Sequence, residues 1–133
     1  MENDVISTYN KALAVIIGVF SSLFGTMDEL FIMLMILMVA DIVSGIMKSV
    51  HTKTISSAKF YEGGIRKVAI FLVVIVATQL EFYMMESVPL RSITIGYYII
   101  NEGLSFIENI SEFIDLPKEF IKYFKKEEDD LDE

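Results

Sequence analysis

The chain has 133 residues, enough for one domain; 53% of them are apolar and the mean hydropathy is +0.52. Its formal charge of -8 is mostly terminal, because Glu127, Glu128, Asp129, Asp130, Asp132 and Glu133 carry six of those charges and leave -2 for residues 1–126. Cysteine is absent and His51 is the single histidine, which excludes disulfide frameworks and thiolate metal sites and leaves little for a zinc centre or a histidine-activated nucleophile. Such a chain is suited to a mechanical or membrane role, not to an enzyme, and no cofactor or metal is expected.

The first apolar segment, Ala12 to Phe24, is interrupted only by Gly18, Ser21 and Ser22, and with the residues before it gives a span at about 8–25. A signal-peptide core has similar length, but Glu2 and Asp4 stand where a basic start belongs. Ala14, Gly18, Ser22 and Gly25 recur at helical spacing, as small residues do where helices approach closely, and Gly45 is a further packing candidate. Leu30 to Ala40 is an uninterrupted run of eleven apolar residues, continued past Asp41 to Met47; it predicts a span at 28–48. Val68 to Ala77 is an unbroken run of ten and predicts a third span at 67–85. A fourth is expected at 91–113. The fold class is then an all-α integral membrane protein of four transmembrane helices, three if the first does not span, assembling as a homo-oligomer among membrane lipids. Residues 1–116 form the helical domain. Residues 117–133 form a charged cytoplasmic tail with a disordered acidic end.

Basic residues orient the bundle. The linker between the second and third spans carries Lys48, Lys53, Lys59, Arg66 and Lys67, the tail carries Lys118, Lys122, Lys125 and Lys126, and Lys11 lies near the start. Only Arg91 falls on the other side, near Asp28, Glu29 and Glu86. The positive-inside rule places both termini and the basic linker in the cytoplasm. Within that linker Ser57 could cap a short interfacial helix, Gly63-Gly64 could turn the chain into the third span, and the lysines could meet anionic headgroups.

Polar residues inside the spans are the functional candidates. At about 100° per residue, Asn101, Glu102, Ser105, Glu108, Asn109 and Glu112 fall within an arc of roughly 120° on the fourth helix, opposite Ile99, Ile100, Phe106, Ile107 and Ile110. Carboxylates facing lipid would cost several kcal/mol each. The stripe therefore lies at the headgroup boundary, packs against other helices, or lines water. Asp41 is a second intramembrane acid, with Ser44 and Lys48 as the nearest satisfying groups on its own helix; Glu81 sits near the outer end of the third span, within snorkelling reach of the headgroups. No phosphate loop, metal-ligand spacing or serine elbow is present. The basic residues follow membrane topology, not a nucleic-acid surface.

The strings Asp41-Ile-Val-Ser-Gly45, Ser56-Ser57 with Gly64-Ile-Arg-Lys67, Asn101-Glu-Gly-Leu-Ser-Phe-Ile-Glu-Asn109 and Leu116-Pro117 together resemble the phage-lysis and toxin-secretion holin family of Gram-positive phages and clostridia. The Asn101–Asn109 string is the most specific part; near the end of the third helix Glu81 stands where that family commonly has aspartate. The resemblance implies a small protein of the bacterial cytoplasmic membrane that self-associates and opens lesions through which an endolysin or a toxin crosses, without binding it directly. The alternatives are an ion-selective channel or transporter subunit with Glu102 and Glu108 lining its pore, and a membrane anchor acting through residues 118–133.

Overall fold

The computed structural model describes residues 1–84 and 88–131, with the backbone alone for residue 2 and for residues 126–131. They form five helices: α1 (Glu2–Phe24), α2 (Glu29–His51), α3 (Ser57–Tyr83), α4 (Leu90–Ile110) and α5 (Lys118–Leu131). Central α4 packs most extensively on α2, then on α3 and α5, while α1 touches α3 lightly.

Each core helix presents a stripe at three- and four-residue spacing, the repeat that keeps side chains on one face. On α2 the stripe is Phe31, Leu34, Met38, Asp41 and Ser44; on α3 it is Lys67, Ile70, Val74 and Ala77. Phe24, Phe31, Leu34, Met38, Ile70, Val74 and Ile95 make one apolar core. Large apolar side chains also cover the outside, including Val15, Ile16, Ile36, Val39, Val68, Leu72 and Val76. By length and composition, two of the described helices could cross a membrane, at Asn3–Phe24 and Glu29–His51. Of the four expected spans two meet that measure; α3 carries Lys59, Glu62, Arg66, Lys67 and Glu81 within its length, and α4 carries Arg91, Asn101, Glu102, Glu108 and Asn109.

Local chemistry explains the helix ends. Gly25 stops α1 at φ 77°, a left-handed conformation that glycine adopts without strain. A Cβ there would also stand 3.0 Å from Arg91 Nε. Gly25 is thus a turn residue and not part of a helix-packing face, and Ala14, Gly18 and Ser22 are exposed in the single chain. Asp28 caps α2 by accepting from the Phe31 N–H at 2.9 Å. At the other end Thr52 Oγ1 donates to the Lys48 carbonyl at 2.9 Å.

Three boundaries depart from the sequence expectation. Ser57 begins α3 itself, with Ser56 at the N-cap position, and Gly63-Gly64 lie inside that continuous helix and not in a turn. Glycine weakens a helix interior by about 1 kcal/mol relative to alanine, but backbone bonds on both sides carry the helix through. The fourth helix stops at Ile110, ahead of Leu116-Pro117, so Glu112 lies beyond its end. The tail is helical to Leu131 where disorder was expected; Asp132 and Glu133 lie outside the described residues, as does Met85 of the predicted third span. Contact holds α5 in place: the Phe124 ring sits on Gly103, where a Cβ would collide with it.

Arg91 closes one end of the bundle. Its Nε donates to the Phe24 carbonyl at 2.7 Å, one terminal nitrogen to Asp28 Oδ2 at 2.5 Å and the other to the Thr26 carbonyl at 2.7 Å. Its backbone N–H donates to Glu81 Oε2 at 2.7 Å. Glu81 therefore starts α4 from α3 and does not extend freely toward headgroups. The guanidinium, first through its hydrogen bond, holds the Asp28 carboxyl below its ordinary value of 3.8; burial opposes this and the Phe31 N–H assists it. Asp28 lies in the turn ahead of α2, outside its apolar run.

Because that folded value is depressed, the Asp28 contribution is complete above 3.8 and disappears as pH falls through the lower folded value. In detergent, Asp28→Asn should consequently lose less stability than the native chain on acidification below that value. A parallel acid limb in the two melting profiles would remove Asp28 from the account. Arg91→Met, which strips the guanidinium's bonds at once and leaves the backbone N–H on Glu81, should cost on the order of 3 kcal/mol in denaturant unfolding. Gly103→Leu and Phe124→Ala should both release α5, seen as faster tryptic cleavage at Lys118 and Lys122; unchanged cleavage would show that this contact does not hold it.

Candidate functional site: a buried ion cluster

Halfway along the bundle the three core stripes change from apolar to ionic. Asp41 of α2, Lys67 of α3 and Glu102 of α4 are 9%, 7% and 2% exposed, and their side chains meet. Lys67 Nζ donates to Asp41 Oδ2 at 2.6 Å and to Glu102 Oε2. Asn109 Nδ2 donates to the other Asp41 oxygen at 3.2 Å, and Gly45 lies beside it, where a Cβ would be in ordinary contact with that nitrogen. Ser44, also buried, returns its hydroxyl to the Asp41 carbonyl at 3.1 Å. Among the described residues no buried side-chain polar atom lacks a partner.

One ammonium shared by two carboxylates binds three helices through a single atom. Desolvation makes such a cluster a poor source of net stability compared with an apolar core of the same shape. Removing one member is different, because the others are left buried without compensation. The cluster thus specifies which faces of α2, α3 and α4 meet.

Two clefts flank it. One, of about 400 Å³, opens between α2 and α3, with Asp41, Lys67 and Asn109 at its floor and Lys48 and Lys59 among its lining. The other, of about 450 Å³, lies between α3 and α4 and is lined by Arg66, Tyr97, Tyr98, Asn101, Glu102 and Glu108. Ser105 borders both. Lys48 also meets Glu112 at 3.3 Å, outside the cluster.

The expected stripe on the fourth helix is therefore divided. Glu102 and Asn109 turn into the cluster, Ser105 and Asn101 are half-buried beside it, Glu108 is exposed, and Glu112 pairs with Lys48 past the helix end. Asp41 is satisfied by Lys67 and Asn109, with Ser44 reaching its backbone; Lys48 does not reach it. Lys67 is the main correction. It belongs to a buried helical face, whereas Lys53 and Lys59 remain exposed and Arg66 faces the second cleft. Its place was readable, since Ile70, Val74 and Ala77 follow it at three, seven and ten residues along one face. Arg91, counted only as the lone cation on its side, is likewise a buried structural residue. His51 is accounted for by an edge contact with the Phe113 ring, 5.3 Å between centroids.

Lys67→Met should destabilise the detergent-solubilised protein by about 3–5 kcal/mol, the usual cost of orphaning a buried charge. Adding Asp41→Asn and Glu102→Gln to it should restore most of that loss. If the triple variant melts no higher than Lys67→Met alone, orphaned charge is not the cause.

A sequence profile of the bacteriophage holin family matches residues 18–128. A probable holin of Bacillus phage phi105 is 39% identical over 90 residues, which is 68% of this chain and 66% of that protein. An uncharacterized protein of Listeria innocua is 34% identical over 92 residues, or 69% of this chain and 66% of its own length. An uncharacterized 14.9 kDa protein of Clostridium perfringens is 32% identical over 111 residues, 82% of this chain and 83% of that one. The match thus spans just under two-thirds of the first two relatives. No solved structure matches the chain. With the ion cluster and both clefts inside the matched residues, the chain belongs to the bacteriophage holin family.

Proposed function

We propose that this protein acts as a holin in the bacterial cytoplasmic membrane, where copies assemble and open lesions that let an endolysin, or a secreted toxin, cross. The observation that carries the reading beyond family membership is an arrangement with ions inside and oil outside. Asp41, Lys67 and Glu102 close on one another at mid-bundle while α1, α2 and α3 turn apolar side chains outward. Water would favour the reverse arrangement, and hydrocarbon favours this one. In this topology α1 to α4 span, both termini are cytoplasmic, and Arg91 locks the outer end.

The resting protein keeps Asp41, Lys67, Glu102 and Asn109 satisfied by one another within one copy. In the lesion, the α4 face that bears Asn101, Glu102, Ser105, Glu108 and Asn109 turns to water, and hydration replaces the Lys67 contacts. The exposed face of α1 with Ala14, Gly18 and Ser22 is available for contact between copies. The cargo crosses through the opening and needs no docking site on the protein.

Expression in a host carrying a folded reporter enzyme in its cytoplasm tests the reading directly. Release of the active enzyme at a defined time is expected. Loss of ions alone would instead identify a small channel, and no permeability change would overturn both readings. Glu102→Gln should shift the onset of release more than Glu108→Gln, because only Glu102 contacts Lys67, and Glu81→Gln should shift it least. Equal shifts at all three positions would separate release from the ion cluster.

A further inference from the structure

We propose that the cleft between α2 and α3 is a binding site for the headgroup of an anionic phospholipid. The inference rests on the reading that these helices stand in a membrane. Gly63 and Gly64 supply the first observation. They lie inside α3, where glycine is unfavourable, yet neither has a positive φ and a Cβ on either would meet nothing within 4 Å. Neither turn geometry nor a close neighbour calls for them. Both border the cleft of about 400 Å³, and their missing side chains keep it open.

Charge supplies the second observation. Lys59 lines the cleft and has no ion pair among the described residues, and Lys48 lines it with Glu112 as its only ion-pair partner there. Lys67 at the floor is committed to Asp41 and to Glu102 behind it, so Asp41, the one acid lining this cleft, faces Lys67 and leaves Lys59 unpaired among the described residues. Ser49 adds a hydroxyl at the same level, while the Thr52 and Thr54 hydroxyls are already engaged, Thr52 donating to the Lys48 carbonyl and accepting from Thr54 at 2.7 Å.

The third observation selects a lipid over a free anion. Ile42, Ile46 and Phe60 form an apolar wall to the cleft and are themselves exposed, at 47%, 42% and 43%. A ligand with a phosphate at one end and hydrocarbon at the other satisfies both parts at once. Inorganic phosphate would leave the apolar wall uncovered. The place is also where such a ligand would be met: the basic ends of α2 and α3 are those that the charge distribution puts at the cytoplasmic surface.

Native mass spectrometry of the full chain in mild detergent tests this, with phosphatidylglycerol, phosphatidylcholine and inorganic phosphate as separate probes. The native protein should retain phosphatidylglycerol in preference to phosphatidylcholine. Lys59→Gln, an exposed change that leaves the fold alone, should weaken phosphatidylglycerol about fivefold, the effect of one interfacial lysine. Gly64→Leu should fill the cleft and abolish the preference. Equal retention of the two lipids by the native chain, or an unchanged preference in both variants, would overturn the proposal. Phosphate binding as tightly as phosphatidylglycerol would overturn the lipid assignment. Because binding is read on purified protein, a failure to release the reporter enzyme in cells counts against the holin reading and leaves this result intact. Conversely, release without a lipid preference would remove this site alone.

Discussion

A single ammonium between two carboxylates decides how this bundle is put together. Lys67 reaches Asp41 on one neighbour and Glu102 on the other, so α2, α3 and α4 can meet in only one rotational setting without leaving a buried charge alone. Apolar stripes by themselves would not be so selective. Leucine, isoleucine and valine tolerate small rotations and slips, and a lipid environment provides little hydrophobic preference for one apolar face over another. The cluster therefore supplies specificity more than stability.

The rest of the structure follows from where that cluster lies. Toward Arg91 the space between helices is filled by Phe24, Phe31, Leu34, Ile70, Val74 and Ile95, and the guanidinium ties the α1–α2 turn to the start of α4. Phe31 also lies under the guanidinium, 5.9 Å from its ring centroid. Toward Lys48 the packing gives way to clefts lined by lysine, hydroxyl and amide groups. The ions lie where the apolar core ends and the cleft between α2 and α3 begins.

The same arrangement explains why the α4 stripe is less uniform than its helical spacing suggests. Glu102 and Glu108 are six residues apart, far enough round the helix for one to enter the core and the other to face outward. Glu112 is carried off the helix altogether by the turn before Pro117. Its pairing with Lys48 binds the end of α4 to the end of α2 at the open side of the bundle.

The four main helical segments and the presence of acids within them are legible in the sequence, because hydrophobic run length and periodicity are local properties, whereas the fifth helix, in the charged tail, is not. The Asp41–Gly45 and Asn101–Asn109 strings also carry the family. Local patterning further places Lys67 on the face of Ile70 and Val74 and Asp41 on that of Leu34 and Met38. What it leaves open is which faces meet, for that depends on residues 26 and 35 positions apart in the chain. Gly63-Gly64 read locally as a turn and Lys67 as part of a basic linker, and only the packing of α3 against α2 and α4 makes the first a cleft and the second the centre of the site. Composition and spacing determined a helical chain with charges in its oily segments. The tertiary structure alone decided that those charges satisfy one another, because a buried ion is defined by its neighbours in space.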